Sequence, residues 1–192
     1  MRSIYLAGPE VFLPNAVAIG ACKKQICAEY GFEGHFPLDN EPIPAGLTPR
    51  EAGLHIGRQN QHLIFRCDAV IANVTPFRGP SADVGTVWEM GFAAGLEHVV
   101  SAYSNNVAPF FDRTVAFSRR TMVNADGTVR DSLGQAIENF ALADNLMIES
   151  CIEKTGGVFI AREAPAGHEL DSLEAFEECI RLLCERSASG AR

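Results

Sequence analysis

The feature that most constrains the fold is a short apolar run, DAVIANV at 68–74, followed by a loop and a helix start. The run is rich in β-branched residues, which predicts a strand buried on both faces of a parallel sheet. The next segment, TPFRGPSA, is a loop punctuated by Pro and Gly. Asp83 then offers an N-cap carboxylate to the amide of Gly85 or Thr86. In an open parallel sheet, such a junction lies at the carboxyl ends of the strands, where ligands bind.

The rest of the chain repeats this alternation of strand and helix. It predicts parallel βαβ units, and therefore an α/β, flavodoxin-like or Rossmann-like three-layer fold with a five-stranded parallel sheet. The predicted strands are 3–8, 32–39, 68–74, 98–103 and 156–161, and the predicted helices are 15–30, 49–66, 84–96, 132–153 and 170–186. We expect one domain over 1–186, a disordered tail over 187–192, and a lid or small excursion within 104–131.

Charge and composition exclude several classes of partner. The 192 residues carry a net charge of −8 and no basic cluster, which disfavours nucleic-acid polymers and anionic membranes as partners. No apolar run approaches the ~20 residues of a membrane span, and no secretory signal pattern begins the sequence. A cytoplasmic enzyme that acts on small molecules fits this composition.

The cysteines and histidines do not predict a metal site. The six cysteines form no CxxC pair and no zinc-like spacing with a histidine. His55 and His62 are seven residues apart and could share a helix face, but a solvated or core position is the commoner one for each. We expect neither a metal nor a cofactor.

Glu89 points to chemistry, because the sequence supplies nothing to neutralise it. A surface helix commonly places Lys or Arg three or four residues from a Glu, yet no Lys or Arg occurs from 79 to 112. Glu89 therefore faces either water or a site. Its neighbours Val87, Trp88, Met90 and Phe92 favour a site, because a helix that is apolar on nearly every side is buried.

Four segments, in order, resemble the nucleoside 2-deoxyribosyltransferase family: IYLAGPEVF at 4–12, PLDNE at 37–41, the block from 60 to 95, and DNLM at 144–147. The most specific is the spacing DxGTxxE, which begins at Asp83 and ends at Glu89. The resemblance implies that Glu89 is the nucleophile that takes 2-deoxyribose from one base and passes it to another. Retaining glycosyl transfer needs such a carboxylate, which attacks the anomeric carbon and later leaves.

The resemblance also implies roles for the residues around this nucleophile. Tyr5 would donate a hydrogen bond to the Glu89 carboxylate, and Asp83 would bind sugar hydroxyls. Asn145 would bind the sugar of a neighbouring subunit, which implies a homodimer or a larger even homo-oligomer with shared sites. A helix cap is the alternative role for Asn145. The substrates would be small deoxynucleosides and free nucleobases.

One position departs from the commoner family pattern. Where many members carry an aspartate that contacts the base, this sequence has Asn60, which cannot supply a titratable proton. By the same resemblance, Glu41 would contact the base or share its protonation. Gly8 and Met147, in the matching motifs, and Arg78, the nearby cation, complete the predicted substrate contacts.

Three functions remain open from the sequence. The first is base exchange between 2′-deoxyribonucleosides, with hydrolysis as a side reaction. The second is a 2′-deoxynucleoside 5′-monophosphate N-glycosidase, which needs a phosphate cradle, whereas the loop GPEVFLPN after the first strand holds an acid and no basic residue. The third is a nonenzymatic nucleotide-binding module, which gains nothing from an unpaired acid at Glu89. The sequence favours base exchange.

Overall fold

A computed structural model describes residues 1–189 and confirms the α/β fold with a five-stranded parallel sheet. The strands are β1 (Ser3–Ala7), β2 (Glu33–His35), β3 (Ala69–Asn73), β4 (Val99–Ser104), β5 (Thr121–Val123), β6 (Val129–Asp131), β7 (Ala136–Ile137) and β8 (Phe159–Ala161). The main sheet has the order β2-β1-β3-β4-β8, with every neighbouring pair parallel. Because β1 and β3 are adjacent, the loops that follow them meet at one edge of the sheet.

Helices cover both faces of this sheet. They are α1 (Ala16–Glu29), α2 (Pro49–Arg66), α3 (Val84–Gly95), α4 (Phe110–Phe117), α5 (Leu146–Thr155) and α6 (Glu174–Ser189). One apolar cluster packs α1 and α6 on the sheet, and a second packs α2, α3 and α5 on the opposite face. The residues of β3 are all buried, as expected for a strand covered on both sides.

Side-chain caps fix the first residues of α2 and α3, the helices that border the predicted site. In α2, the Thr48 hydroxyl accepts from the Glu51 amide at 3.3 Å while the Glu51 carboxylate accepts from the Thr48 amide at 2.8 Å. This capping box, with Pro49 at the first helical position, fixes the start of α2. Asp83 caps α3 by accepting from the Thr86 amide at 3.0 Å, so the predicted strand, loop and helix start is confirmed.

The prediction of a helix over 132–153 was wrong for its first half. Residues 121–137 form a small antiparallel sheet of order β5-β6-β7, and the helix α5 begins only at Leu146. Gly127 and Gly134 have φ values of 82° and 79° at its two turns, a backbone conformation that glycine adopts without strain. The excursion predicted within 104–131 thus contains α4 and most of this sheet.

Other boundaries also differ from prediction; for example, the strand predicted at 156–161 begins only at Phe159, and the helix predicted at 170–186 begins at Glu174. The strand predicted at 32–39 is limited to Glu33–His35, because Pro37 starts a short 3-10 turn over Pro37–Asp39. The helix α6 runs to Ser189, so residues 187–189 of the predicted disordered tail are helical, while 190–192 lie outside the described residues. No helix within residues 1–189 has the length and apolar content to cross a membrane.

Candidate active site

Tyr5 and Glu89 meet at the carboxyl edge of β1 and β3. The Tyr5 hydroxyl donates to Glu89 Oε1 at 2.6 Å, across 84 residues of sequence. Tyr5 is fully buried in β1, and Glu89 lies less than two turns into α3. No Lys, Arg or His in residues 1–189 forms an ion pair with Glu89.

These surroundings change the proton affinity of Glu89. The pKa of Glu89 is raised to about 7 from an ordinary value of 4.5, mainly by burial and to a smaller extent by the nearby Asp83 charge. The hydrogen bonds from Tyr5 and Asn60 oppose the increase because they favour the charged form. The pKa of Tyr5 itself is raised well above its ordinary range, first by burial and then by the Glu89 charge. Near neutral pH, the pair therefore combines a titrating carboxylate with a phenol that stays protonated and donates.

Asn60 connects this carboxylate to the loop after β2. Its Oδ1 accepts from Asn40 Nδ2 at 2.7 Å, while its amide hydrogen-bonds Glu89. Asn40 also donates to the Pro37 carbonyl at 2.9 Å. Glu41, the next residue, is exposed, and its backbone carbonyl accepts from Gln59 at 3.2 Å. Within residues 1–189, the Glu41 side chain forms no hydrogen bond with Glu89.

The loop after β1, residues 8–15, is anchored by a buried ion pair. Glu10 and Lys23 are both fully buried, and Lys23 Nζ lies 2.5 Å from Glu10 Oε1. Tyr103 Oη donates to the same oxygen at 2.7 Å. The ammonium of Lys23 also lies 5.2 Å and 5.0 Å from the ring centroids of Tyr103 and Phe176, where cation–π attraction contributes.

Gly8 is required by space in this anchor. A Cβ at Gly8 would lie 1.9 Å from Glu10 Oε2 and 2.9 Å from Asn73 Cβ. Both Glu10 Oε2 and Asn73 Nδ2 are buried without a hydrogen-bond partner. They are an acceptor and a donor near the same point beside Gly8, where one bridging water could satisfy both.

The loop after β3, residues 74–83, has a comparable anchor. Asp144 is 2% exposed and accepts from the Ser81 hydroxyl, from the Ala82 amide at 3.1 Å and from Arg113 Nη2 at 3.1 Å. Arg113 Nε also donates to the Pro80 carbonyl at 2.8 Å. One carboxylate and one guanidinium thus hold three successive residues of the loop that leads into α3.

The two anchored loops touch through aromatic rings. Phe12 and Phe77 stack with centroids 5.4 Å apart and planes 8° from parallel. The Arg78 guanidinium lies 4.9 Å and 4.6 Å from these two centroids. Arg78 forms no ion pair with any residue of 1–189, and its φ of 57° is uncommon for a non-glycine residue.

Asn145 and Met147 form no hydrogen bond with Glu89 within residues 1–189. Asn145 caps α5 by accepting from the Met147 amide at 3.1 Å, and its Nδ2 donates to Glu138 at 3.1 Å. Met147 is 65% exposed and borders an apolar groove between α3 and α5. The chain therefore brings together Tyr5, Glu89, Asn60 and Asp83, while Gly8 and Arg78 lie in the bordering loops.

The sequence did not predict the residues that hold these loops. Glu10, Asp144 and Arg113 were not singled out, although each is essential to a loop anchor. Two of them had a recognisable signal: Glu10 directly follows the Gly8-Pro9 turn at the end of a buried strand, and Asp144 begins the DNLM segment at 144–147. Arg113 is 31 residues from Asp144, and no spacing rule joins such a pair.

Comparison of the sequence with known proteins identifies the family to which the chain is similar. The family model described as nucleoside 2-deoxyribosyltransferase matches residues 4–147. An uncharacterized protein of Schizosaccharomyces pombe is 27% identical over 95% of this chain and 89% of its own length.

Solved structures agree with this match. A 2-desoxiribosyltransferase from Leishmania mexicana is 27% identical with a TM-score of 0.63, covering 96% of this chain and 98% of that one. A conserved protein from Enterococcus faecalis shares the fold at 18% identity, with a TM-score of 0.54 and coverage of 95% and 99%. On the match over residues 4–147, the chain belongs to the nucleoside 2-deoxyribosyltransferase family.

Proposed function

We propose that the protein exchanges nucleobases between 2′-deoxyribonucleosides through a covalent intermediate on Glu89. The observation that carries this proposal is the 2.6 Å bond from Tyr5 to a carboxylate that has no cation partner among the described residues. Without a cation the carboxylate keeps its electron density, and the donated hydrogen bond orients it. A buried acid that needed only to be stable would be paired.

The reaction then runs in two displacements. A Glu89 oxygen attacks C1′, the C1′–N bond breaks, and the bonding electrons leave with the base, which gains a proton. A nitrogen of the incoming base then attacks C1′, loses a proton, and releases Glu89 as a carboxylate. Two inversions retain the configuration, and water in place of the second base gives hydrolysis. Tyr5 stabilises the carboxylate each time it is free, and Asp83 at the mouth of α3 binds sugar hydroxyls.

In this proposal, Asn60 and Glu41 have different roles toward the base. Asn60 can only position the base, whereas Glu41 could protonate it if the exposed 41–48 loop moves over the site. General acid help is worth ~10²–10⁴-fold in rate. Glu41→Gln should cost about that factor with an ordinary deoxynucleoside but far less with one whose base leaves without protonation. Equal losses on both substrates would assign Glu41 to binding alone.

Incubation with deoxyinosine and free adenine tests the proposal. Formation of deoxyadenosine and hypoxanthine supports base exchange. Release of base from a deoxynucleoside monophosphate, without any exchange, would assign the protein to the N-glycosidases instead. Binding without turnover of either substrate would leave a nonenzymatic nucleotide-binding module. Each outcome identifies one of the three functions open from the sequence.

The proposal includes a second subunit that completes the site with Asn145 and Met147. An exposed apolar surface supports this assembly, since Val84 is 82% exposed, Trp88 51%, and Met147 65%, on the adjacent helices α3 and α5. Asn145→Ser keeps a cap acceptor but loses the amide that would reach the partner's sugar.

Mixing two inactive proteins tests the shared site. Asn145→Ser and Glu89→Ala each damage a different half of a composite site, so a mixed dimer regains one intact site. Recovery of up to about one half of the activity per mixed dimer is expected after subunit exchange. No recovery, with exchange confirmed by mass spectrometry, would place Asn145 in its cap role only.

A further inference from the structure

The helix α2 is basic within an acidic protein. It contains three Arg, two His and a single acid, Glu51, whose carboxylate is engaged in the Thr48 cap. Four of these side chains recur at spacings of three, four and four residues and so share one face: His55, Arg58, His62 and Arg66. We call this face the α2 stripe.

The α2 stripe forms one wall of a cleft of about 550 Å³, and residues 39–41 form the other wall. Within residues 1–189, neither Arg58 nor Arg66 has an ion-pair or hydrogen-bond partner. Asp39, on the opposite wall, is already paired with Lys24 at 2.6 Å. The Nε2 atom of His55 is buried without a partner. The cleft therefore offers several unused donors, and its two guanidinium groups exceed its one acid without an ion pair among the described residues, Glu41.

These donors suit a phosphate group. A guanidinium binds phosphate through two parallel N–H···O bonds, and two unpaired guanidinium groups on one wall match its charge and its several acceptor oxygens. The cleft volume is within the range of small-molecule sites, and it admits a pentose or nucleoside attached to the phosphate.

One residue joins this cleft to the candidate active site. Asn40 lines the cleft and donates to Asn60 Oδ1 at 2.7 Å, and Asn60 in turn hydrogen-bonds Glu89. Displacement of Asn40 by a ligand would alter the position of the Asn60 amide and hence its bond to Glu89. The wall that carries Asn40 continues into the exposed segment 41–50, which gives it room to move.

We propose that the cleft between the α2 stripe and residues 39–41 binds a phosphate monoester of a pentose or nucleoside, and that its occupancy modulates Glu89 through Asn40 and Asn60. The binding claim stands independently of catalysis. The modulation rests on the proposed function of Glu89. The resemblance assigns Glu41, on the opposite wall of the cleft, to the base, but it assigns no site to the four residues of the α2 stripe.

Calorimetric titration of Glu89→Gln protein, in which turnover is blocked, tests the binding claim. The probes are deoxyribose 5-phosphate, deoxyadenosine monophosphate, inorganic phosphate and deoxyadenosine. The two monoesters should bind, and Arg58→Ala with Arg66→Ala should weaken them about tenfold or more. The matched control is Arg119→Ala with Arg120→Ala, which removes two exposed arginines elsewhere and the same charge. It should change the affinity by less than about twofold.

Three results would overturn the binding claim. The first is equal loss in the cleft variant and the control. The second is equal affinity for inorganic phosphate and the monoesters. The third is complete block of the monoesters by saturating deoxyadenosine, which would merge the cleft with the active site. Because the titration uses no turnover, these failures are distinct from a failure of the proposed function.

The modulation is tested on wild-type protein. Deoxyribose 5-phosphate should change the base-exchange rate, and Asn40→Ala should remove that change while the calorimetric affinity persists. A rate change that survives Asn40→Ala contradicts the relay through Asn40.

Discussion

Two kinds of buried carboxyl group lie around the carboxyl edge of the sheet, and they differ in their partners. Glu10 and Asp144 each have a cation, Lys23 at 2.5 Å and Arg113 at 3.1 Å, and each holds a loop in place. Glu89 has only uncharged donors, and burial raises its pKa to about 7. Glu10 and Asp144 are buried whereas Glu89 is partly buried, so the degree of burial does not set Glu89 apart, but its lack of a cation does.

The difference in partners suits the paired and unpaired carboxylates to different roles. A paired carboxylate is stable and directional, and it can fix a loop, but its charge is already used. An unpaired one is costly to the fold and available for bond formation. The loop anchors at Glu10 and Asp144 stabilise the surroundings of Glu89. The fold can therefore accommodate one carboxylate that has no cation partner among the described residues.

The largest expected effect is on turnover. Glu89→Gln should lower base exchange by about 10⁴-fold or more, because the covalent intermediate needs that oxygen. Steady-state assay of base exchange measures this, and circular dichroism verifies the fold. A folded variant with near-wild-type turnover would show that Glu89, like Glu10 and Asp144, is not needed for the chemistry.

The next effect is on stability and tests the anchors. Lys23→Met leaves Glu10 buried without its cation and should cost about 3–5 kcal/mol of unfolding free energy. The adjacent Lys24 provides a matched control, because its pair with Asp39 is 38% exposed on both sides. Lys24→Met should cost no more than about 1 kcal/mol. Similar losses in urea denaturation of the two variants would show that the Glu10 pair is not a special anchor.

The pH dependence of the unfolding free energy tests how much the ionised Glu89 side chain destabilises the fold. Its pKa is about 7 when folded against an ordinary 4.5, so the folded state retains a proton that the unfolded chain releases in that window. Stability from this group is therefore present below pH 4.5 and is lost as the pH rises through 7. Glu89→Gln should be more stable than wild type at pH 8, by on the order of 3 kcal/mol, and equal near pH 4. Denaturation curves with a constant difference at both pH values would contradict the raised pKa.

A smaller effect concerns the hydrogen bond to Glu89. Tyr5→Phe removes a donor that lowers the pKa of Glu89, so the rising limb of kcat/KM should move to higher pH. The rate should also fall by about tenfold or more, as for loss of a bond to a charged group. Tyr103→Phe serves as the control, because its hydroxyl binds Glu10 on the other face of the sheet. Its pH profile should keep the wild-type limb.

Local sequence patterns predicted the surroundings of Glu89 better than the anchors of the neighbouring loops. The apolar run of β3 and the Asp83 cap lie within a few residues of each other, and both follow from neighbouring side chains. The absence of Lys and Arg near Glu89 was likewise visible in the sequence. The Glu10 anchor unites residues 13 and 93 positions apart, and only tertiary packing brings them together.

The prediction of a helix over 132–153 was wrong in its first half for a related reason. Leu133, Ile137 and other apolar residues there have spacings compatible with a helix, yet the turns at Gly127 and Gly134 favour paired strands. Periodicity could not decide between the two over so short a stretch. The position of Asn145 as a cap was foreseen as an alternative, and its role toward a second subunit remains the proposal stated above.

Trapping of the intermediate tests the central claim most directly. A 2-fluorinated deoxynucleoside should react once and turn over slowly, because fluorine disfavours the oxocarbenium-like transition state. Mass spectrometry of the tryptic peptide 79–113 should then show the added fluorosugar, with fragmentation assigning it to Glu89. Label on Asp83 or on another residue, or rapid turnover with no labelled peptide, would contradict a covalent intermediate at Glu89.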